Sequence, residues 1–281
     1  MKPTAERIRR FRGLLAGCLL LGLIAPVASA DEPEPGTDTQ PAARVQLPVA
    51  AGQWVPQGPG PSINGQIENV FPEDRTVGAI HAVAPHPTDP DVLFVASVNG
   101  GIWRTSNATD DSPSWEPLTD DLDSLSTTAI RFDPTDPEFG TLLAGHGTWS
   151  SFGFAGGRRN GLLYTQDGGN SWTRFGASIL TGITFSSVEP RGAILVAAAV
   201  NGSPGATSGG GLFRSLDRGV SWAEVSGQGG TGLPDVPIAD LEGDPNDLSR
   251  LYLTARTSGI YRSDDTGATW TDISQSSAEL T

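Results

Sequence analysis

"YRSDDTGATW", residues 261–270, decides how the chain is read. It holds two adjacent carboxylates, Asp264 and Asp265, then a glycine and a tryptophan. A single such stretch could be a catalytic pair or a metal loop. It is not single. "GIWRTSNATDDSPSWEPL" (101–118), "GLLYTQDGGNSWTRF" (161–175), "GLFRSLDRGVSWAEV" (211–225) and "GIYRSDDTGATWTDI" (259–273) write one motif four times. Their tryptophans, Trp115, Trp172, Trp222 and Trp270, fall 57, 50 and 48 residues apart. A period near fifty with short alternating segments is the mark of a propeller or array built from β units.

Each unit supplies four strands. "AIHAVAPHPTDPDVLFVAS" (79–97) reads as an inner strand, a proline-closed turn and a second strand. "AIRFDPTDPEFGTLLAG" (129–145) and "ADLEGDPNDLSRLYLTA" (239–255) are its counterparts, and "ITFSSVEPRGAILVAAA" (183–199) is a degraded copy. Proline donates nothing to a ladder, so "DPTDP" is expected outside the strands, at the hairpin tip. "GIWRT" and its equivalents form the third strand, and the fourth is expected to start at the tryptophan. No window shows helical periodicity.

The repeating aspartates then read as turn hardware. Asp167, Asp217 and Asp265 each stand two residues before a glycine, Gly169, Gly219 and Gly267. Such a side chain accepts from backbone N–H groups a residue or two ahead, while the glycine supplies positive φ. The hydroxyls of Thr165, Ser215 and Ser263 fasten the same turn, and Trp172, Trp222 and Trp270 pack it on the sheet. The first copy has drifted, with Asn107 in the aspartate place and three extra residues before Trp115. Site chemistry is not replicated once per repeat, so no catalytic residue is assigned here.

S-x-D-x-G-x-[ST]-W, as "SDDTGATW" and "SLDRGVSW", resembles the Asp-box, or bacterial neuraminidase, repeat of sialidases, sortilin-type receptors, xyloglucan-degrading hydrolases and a photosystem assembly factor. "WVPQGPGP" and "DPDVLFVASVNGGIWRTS" are similar to openings of exported bacterial propellers of this group. The resemblance covers roughly 54–273. It implies an all-β propeller and leaves function open, since the group mixes enzymes with binding modules. Its usual six to eight blades exceed the four seen here. "QWVPQ" (53–57) looks like an orphan outer strand, so the chain is expected to be a partial propeller over 53–273, with 274–281 a stub. A four-bladed ring with a redundant strand is the alternative. An open ring leaves unpaired edges that invite self-association.

Residues 1–30 join a basic start, an apolar run and "ASA" before Asp31, the pattern of a secretory signal cleaved after Ala30. "LAGC" has the form of a lipoprotein box at Cys18, but most of the apolar core follows the cysteine where such a box needs it before. The run is too short for a membrane span. Residues 31–52, rich in proline and acid, read as a disordered leader. Setting aside five of 18 basic and one of 32 acidic side chains leaves 13 against 31, a net charge of −18. That opposes nucleic acid and anionic membrane as partners and fits a secreted or periplasmic protein. Cys18, the only cysteine, leaves with the signal.

The end of each blade opposite the aspartate turn is where a ligand would dock. The distinctive loop there is "HGTWSSFGFAGGRRNG" (146–161), which gathers His146, Trp149, Phe152, Phe154, Arg158 and Arg159. Aromatics beside arginines suit sugar rings or carboxylates. Asn99 and Arg256 join them at the same end of other blades, giving a candidate site for a glycan or an extracellular protein. An inserted loop whose aromatics only pack on the next blade is the competing reading. His81, His86 and His146 make no metal spacing, "GQGGTG" (227–232) lacks a βαβ context, and no cofactor is expected.

Resemblance to sialidases implies inward arginines and a tyrosine nucleophile; Tyr164 and Tyr261 take the ordinary third-strand site and Tyr252 an apolar register, all accounted for by packing. Resemblance to xyloglucan-degrading relatives implies an aspartate before the first "GG", where this chain has Asn99 before Gly100 and Gly101. An amide is no general acid or base. A hydrolase would need its carboxylates among Asp120, Asp121 and Asp123, or Asp235, Asp240 and Glu242.

Overall fold

The computed structural model describes residues 78–148, 155–176, 179–202 and 209–274, all within one compact unit, Pro48–Thr281. The signal and leader, the 53–57 strand, Trp149, Phe152, Phe154 and residues 275–281 lie outside the described residues. Among the described residues sixteen strands form four antiparallel four-stranded sheets, each in sequence order, which is the partial propeller expected. Blade one holds β1 (Ile80–Pro85), β2 (Leu93–Ser97), β3 (Gly101–Thr105) and β4 (Glu116–Pro117). Blade two holds β5 (Thr127–Phe132), β6 (Leu142–His146), β7 (Leu162–Thr165) and β8 (Thr173–Phe175). Blade three holds β9 (Ile183–Arg191), β10 (Ile194–Gly202), β11 (Gly211–Ser215) and β12 (Ala223–Glu224). Blade four holds β13 (Ile238–Gly243), β14 (Leu251–Ala255), β15 (Gly259–Ser263) and β16 (Thr271–Asp272).

The blades stack through three apolar cores. Phe94, Ala96 and Ile102 meet Ile130, Leu142 and Leu163 between blades one and two. Leu143, Leu162 and Tyr164 meet Phe185, Val188 and Phe213 between two and three, while Val196, Ala198 and Leu212 meet Leu241, Leu253 and Tyr261 between three and four. Each strand therefore alternates between a face toward the blade before and a face toward the blade after, the period-two pattern of a sheet buried on both sides. None of these cores joins blade four to blade one. The arc is open among the described residues.

Every aspartate turn has the same wiring. The hydroxyls of Thr165, Ser215 and Ser263 donate to Oδ1 of Asp167, Asp217 and Asp265 at 2.7–2.8 Å and accept the N–H of Gly169, Gly219 and Gly267 at 2.8–3.0 Å. The aspartates accept from backbone N–H groups four residues on, at Ser171, Ser221 and Thr269 (2.8–2.9 Å), rather than one or two. The nearer N–H is taken by the hydroxyl, so the carboxylate spans the whole turn. The drifted copy keeps the scheme, since Asn107 Oδ1 accepts from Ser114 N–H at 2.9 Å.

Three details differ from the sequence reading. The fourth strand begins one residue after the tryptophan, at Glu116, Thr173, Ala223 and Thr271. The degraded copy makes the two longest strands, nine residues each, around the tight turn at Gly192 (φ 69°). Pro85 ends β1 and Pro190 lies inside β9. Both are tolerated because the inner strand is an edge strand whose outer side needs no donor.

Candidate functional site

Backbone bonds fix which end is which. Ala108, Gly168, Arg218 and Thr266, one residue beyond the turn's acidic or amide side chain, donate to Asp91, Gly140, Ala193 and Ser249 on the hairpin between the first two strands. The aspartate turn and the hairpin tip thus share one end, and the β2–β3, β6–β7 and blade-to-blade loops share the other.

At that second end a cavity of about 380 Å³ lies between blades one and two, lined by Asn99, Leu122, Asp123, Ser124, Leu125, Ser126, Gly156 and Gly157. Asn99 is exposed; its Oδ1 accepts from Ser126 Oγ at 2.6 Å and its Nδ2 donates to the carbonyl of Ala155 at 3.4 Å. Ser126 Oγ also takes the N–H of Gly157 at 2.6 Å. Asn99 therefore ties the blade-two loop to blade one. Asp123 at the rim pairs with Arg174 at 3.2 Å.

None of the other described candidate residues lines this groove. His146, at the end of β6, is 1% exposed and neither ring nitrogen has a hydrogen-bond partner. Burial drives its pKa down to about 4, against the raising influence of Asp123 and with the help of Arg174. It is a buried, neutral imidazole, not a solvent-facing contact. Arg158 is exposed, whereas Arg159 turns toward blade three, where its Nη1 donates to Thr184 Oγ1 at 3.2 Å. Arg256 is exposed at the corresponding turn of blade four, where its N–H donates to the carbonyl of Pro237 at 3.0 Å. Asn99, Ser126 and the 155–159 segment are thus brought together, with Arg256 on a different blade.

The carboxylates set aside for a hydrolase divide by place. Asp120, Asp121 and Asp235 are exposed in loops. Asp240 opens into a second cavity, about 330 Å³, at the axis of the arc, where it accepts from Ser187 Oγ at 2.7 Å. This cavity has a construction the sequence reading missed. Each inner strand slips by one residue against its neighbour near its upper end, and the residue left over is His81, Thr128, Ser186 or Ala239. All four line the cavity, because a bulge re-aims its extra residue. Thr128 and Ser186 use their hydroxyls to reach the next inner strand, at the carbonyls of Phe185 (2.6 Å) and Ile238 (2.8 Å).

Below the bulges runs an ion network. Arg131 pairs with Glu242 across the arc and lies 3.6 Å from Glu189, which pairs with Arg191 at 2.8 Å. Glu189 and Arg191 are almost wholly buried. Burial raises the Glu189 pKa although both arginines pull it down. Arg131, Glu189 and Glu242 share one register on successive inner strands, where blade one has Ala84. Aligning the four inner strands column by column would have exposed them.

Tyr164 needs a correction. It takes the place of Arg104, Arg214 and Arg262, one residue beyond the third-strand core position held by Trp103, Leu163, Phe213 and Tyr261. There it stacks on Phe175 with ring centroids 5.0 Å apart and is 7% exposed, so packing still accounts for it. Among the described residues no group of His, Cys, Asp or Glu could hold a metal, and no helix is long and apolar enough to cross a membrane.

No family model matches the chain. It is 26% identical over 227 residues to a xyloglucanase of Paenibacillus sp., covering 70% of this chain and 21% of that one. It is 24% identical over 213 residues to a probable oligoxyloglucan-reducing end-specific xyloglucanase of Neosartorya fischeri, covering 70% and 24%. A solved structure described as an ancestral GH74 enzyme superposes with a TM-score of 0.52 at 20% identity, over 80% of this chain and 26% of that one. The chain spans between a fifth and a quarter of the length of these curated relatives. It is a β-propeller chain distantly similar to glycoside hydrolases.

Proposed function

We propose that the chain is an exported propeller of the Asp-box type that binds a polysaccharide or glycoconjugate without cleaving it. The groove between blades one and two is the docking place. One observation carries the reading: at the mouth of the groove stands Asn99, an amide held by Ser126 and Ala155, which hydrogen-bonds a sugar hydroxyl but transfers no proton. Asp123, Ser124 and Ser126 line the same groove and add acceptors and donors suited to hydroxyls. The similarity to two xyloglucanases makes β-linked glucan the first ligand to try.

Xyloglucan oligosaccharides titrated into the full chain should give saturable binding that weakens about tenfold or more in Arg158→Ala or Trp149→Ala, with no reducing ends released. Binding unchanged in both variants removes the loop from the site, and no retention on any glycan of a panel sinks the reading. Asp240 favours a second reading, that of a glycoside hydrolase, because its carboxylate opens into the axial cavity. Turnover of xyloglucan that disappears in Asp240→Asn would establish it.

A further inference from the structure

Asparagine followed by glycine is a chemically labile pair. The backbone nitrogen of the glycine attacks the side-chain carbonyl carbon and closes a five-membered imide, because no Cβ stands in the way and the reacting atoms belong to one chain. The described residues hold three such pairs, Asn99–Gly100, Asn160–Gly161 and Asn201–Gly202. Their local sequence ranks them equally; their surroundings do not.

Asn201 and Gly202 lie inside β10, laddered to Thr184 and Ile183, and Asn201 Oδ1 is buried. Asn160 has its Nδ2 sealed from solvent, and Gly161 behind it is buried, its carbonyl accepting the N–H of His146. Asn99 and Gly100 stand instead in the turn between β2 and β3, closed by the pairing of Ser97 with Gly101. Asn99 is exposed, and the Gly100 N–H donates to no acceptor among the described residues. The turn around that nitrogen is held in place. The Gly100 carbonyl accepts the Trp103 indole N–H at 2.6 Å, and the Gly101 N–H donates to the carbonyl of Leu125 at 2.8 Å. The side chain is held as well, by Ser126 Oγ donating to Asn99 Oδ1 at 2.6 Å. Negative charge develops on that oxygen when a nucleophile adds to its carbon, and a donor already aimed at it lowers the barrier.

We infer that Asn99–Gly100 is a self-modification site, at which the Gly100 nitrogen displaces ammonia from the Asn99 side chain while the Ser126 hydroxyl steadies the oxyanion. The bond from Gly100 N to Asn99 Cγ forms and the Cγ–Nδ2 bond breaks. The Gly100 amide proton leaves with the departing nitrogen as ammonia. Water then opens the imide at either carbonyl, giving aspartate at position 99 or isoaspartate, in which the main chain runs through the side-chain carboxyl carbon. Either product puts a carboxylate at the mouth of the groove where a neutral amide stood. That carboxylate still accepts from Ser126, but it has no N–H for the carbonyl of Ala155, so this tie to the blade-two segment is lost. The chemistry is independent of the glycan reading.

Incubating the full chain at mildly alkaline pH, with peptide mapping by mass spectrometry and enzymatic methylation of isoaspartate, tests it. Asn99 should convert about tenfold or more faster than Asn160 and Asn201 while the chain is folded. In denaturant the three rates should converge, because the surroundings that separate them are gone. Either of the other two converting as fast as Asn99 in the folded chain overturns the inference, as does an Asn99 that converts faster unfolded than folded. Ser126→Ala should slow conversion at Asn99 and leave the other two sites unchanged, which a merely loosened turn would not do. Faster conversion at Asn99 in that variant would show that the hydroxyl only restrains the side chain, and overturns its role. Asn99→Asp, a copy of one product, should be cut by trypsin after Arg158 sooner than the parent; an equal rate overturns the loss of the tie.

Discussion

His146 shows what a single residue in this fold can cost. This buried, neutral imidazole has a pKa of about 4, while in the unfolded chain it titrates near the ordinary histidine value of 6.5. Between those values the unfolded state takes a proton that the folded state refuses. Stability from this group is therefore complete above pH 6.5 and is lost as pH falls toward 4, on the order of 2–3 kcal/mol. Thermal melts should show that decline, and His146→Leu should flatten it, since leucine fills the site and has nothing to protonate. A decline of equal size in the variant would show that other groups cause it. The aspartates titrate lower: hydrogen bonds from Ser171, first through its hydroxyl and then its N–H, and from Thr165 hold Asp167 at about 2. The Asp167 contribution is lost only as pH falls from the ordinary carboxylate range through that value, so its window separates from that of His146.

At the scale of the element, the aspartate turn repeats as a unit but its surroundings do not. Gly219 and Gly267 have nearly the same φ, 85° and 81°, so alanine at either meets the same left-handed penalty of about 1–2 kcal/mol. The space differs. A Cβ on Gly219 would drive into the ring of Phe175, whereas one on Gly267 meets a methyl of Val196 at 3.3 Å. Gly219→Ala should therefore lower the melting temperature clearly more than Gly267→Ala; equal losses would mean that φ alone governs the turn. The turn was legible in the sequence because Ser or Thr, Asp, Gly and Trp recur at fixed offsets. Which N–H each oxygen takes was not, because several partners lie within reach of the same side chain and only the closed turn selects among them.

Across the whole molecule, the inner strands hold an ion network whose members come from different blades. Removing one partner of a buried pair strands the other, at about 3–5 kcal/mol. Arg191→Met is expected to cost that much by denaturant titration, and a double variant with Glu189→Leu to recover most of it. A single variant as stable as the parent would show that Glu189 sheds its charge without loss. The sign with pH is opposite to that of the aspartates. Burial raises the Glu189 pKa, so the folded state holds its proton more readily than the unfolded chain, and this group's contribution improves as pH falls.

Local composition and spacing determined the repeat, the four-stranded blade, the hairpin tip, and which end of the blade the aspartate turn shares with it. These follow from preferences that act over a few residues: proline at tips, glycine at positive φ, alternation along strands. Only the tertiary structure decided that Asn99 fastens a loop, that His146 is sealed from water, and that bulged residues of four strands share one cavity. It also showed Arg104 and Arg214 donating to carbonyls in the aspartate turn of the next blade. Each of these depends on which residues some fifty positions apart are pressed together. Chain neighbours do not encode that until the blades are stacked around an axis.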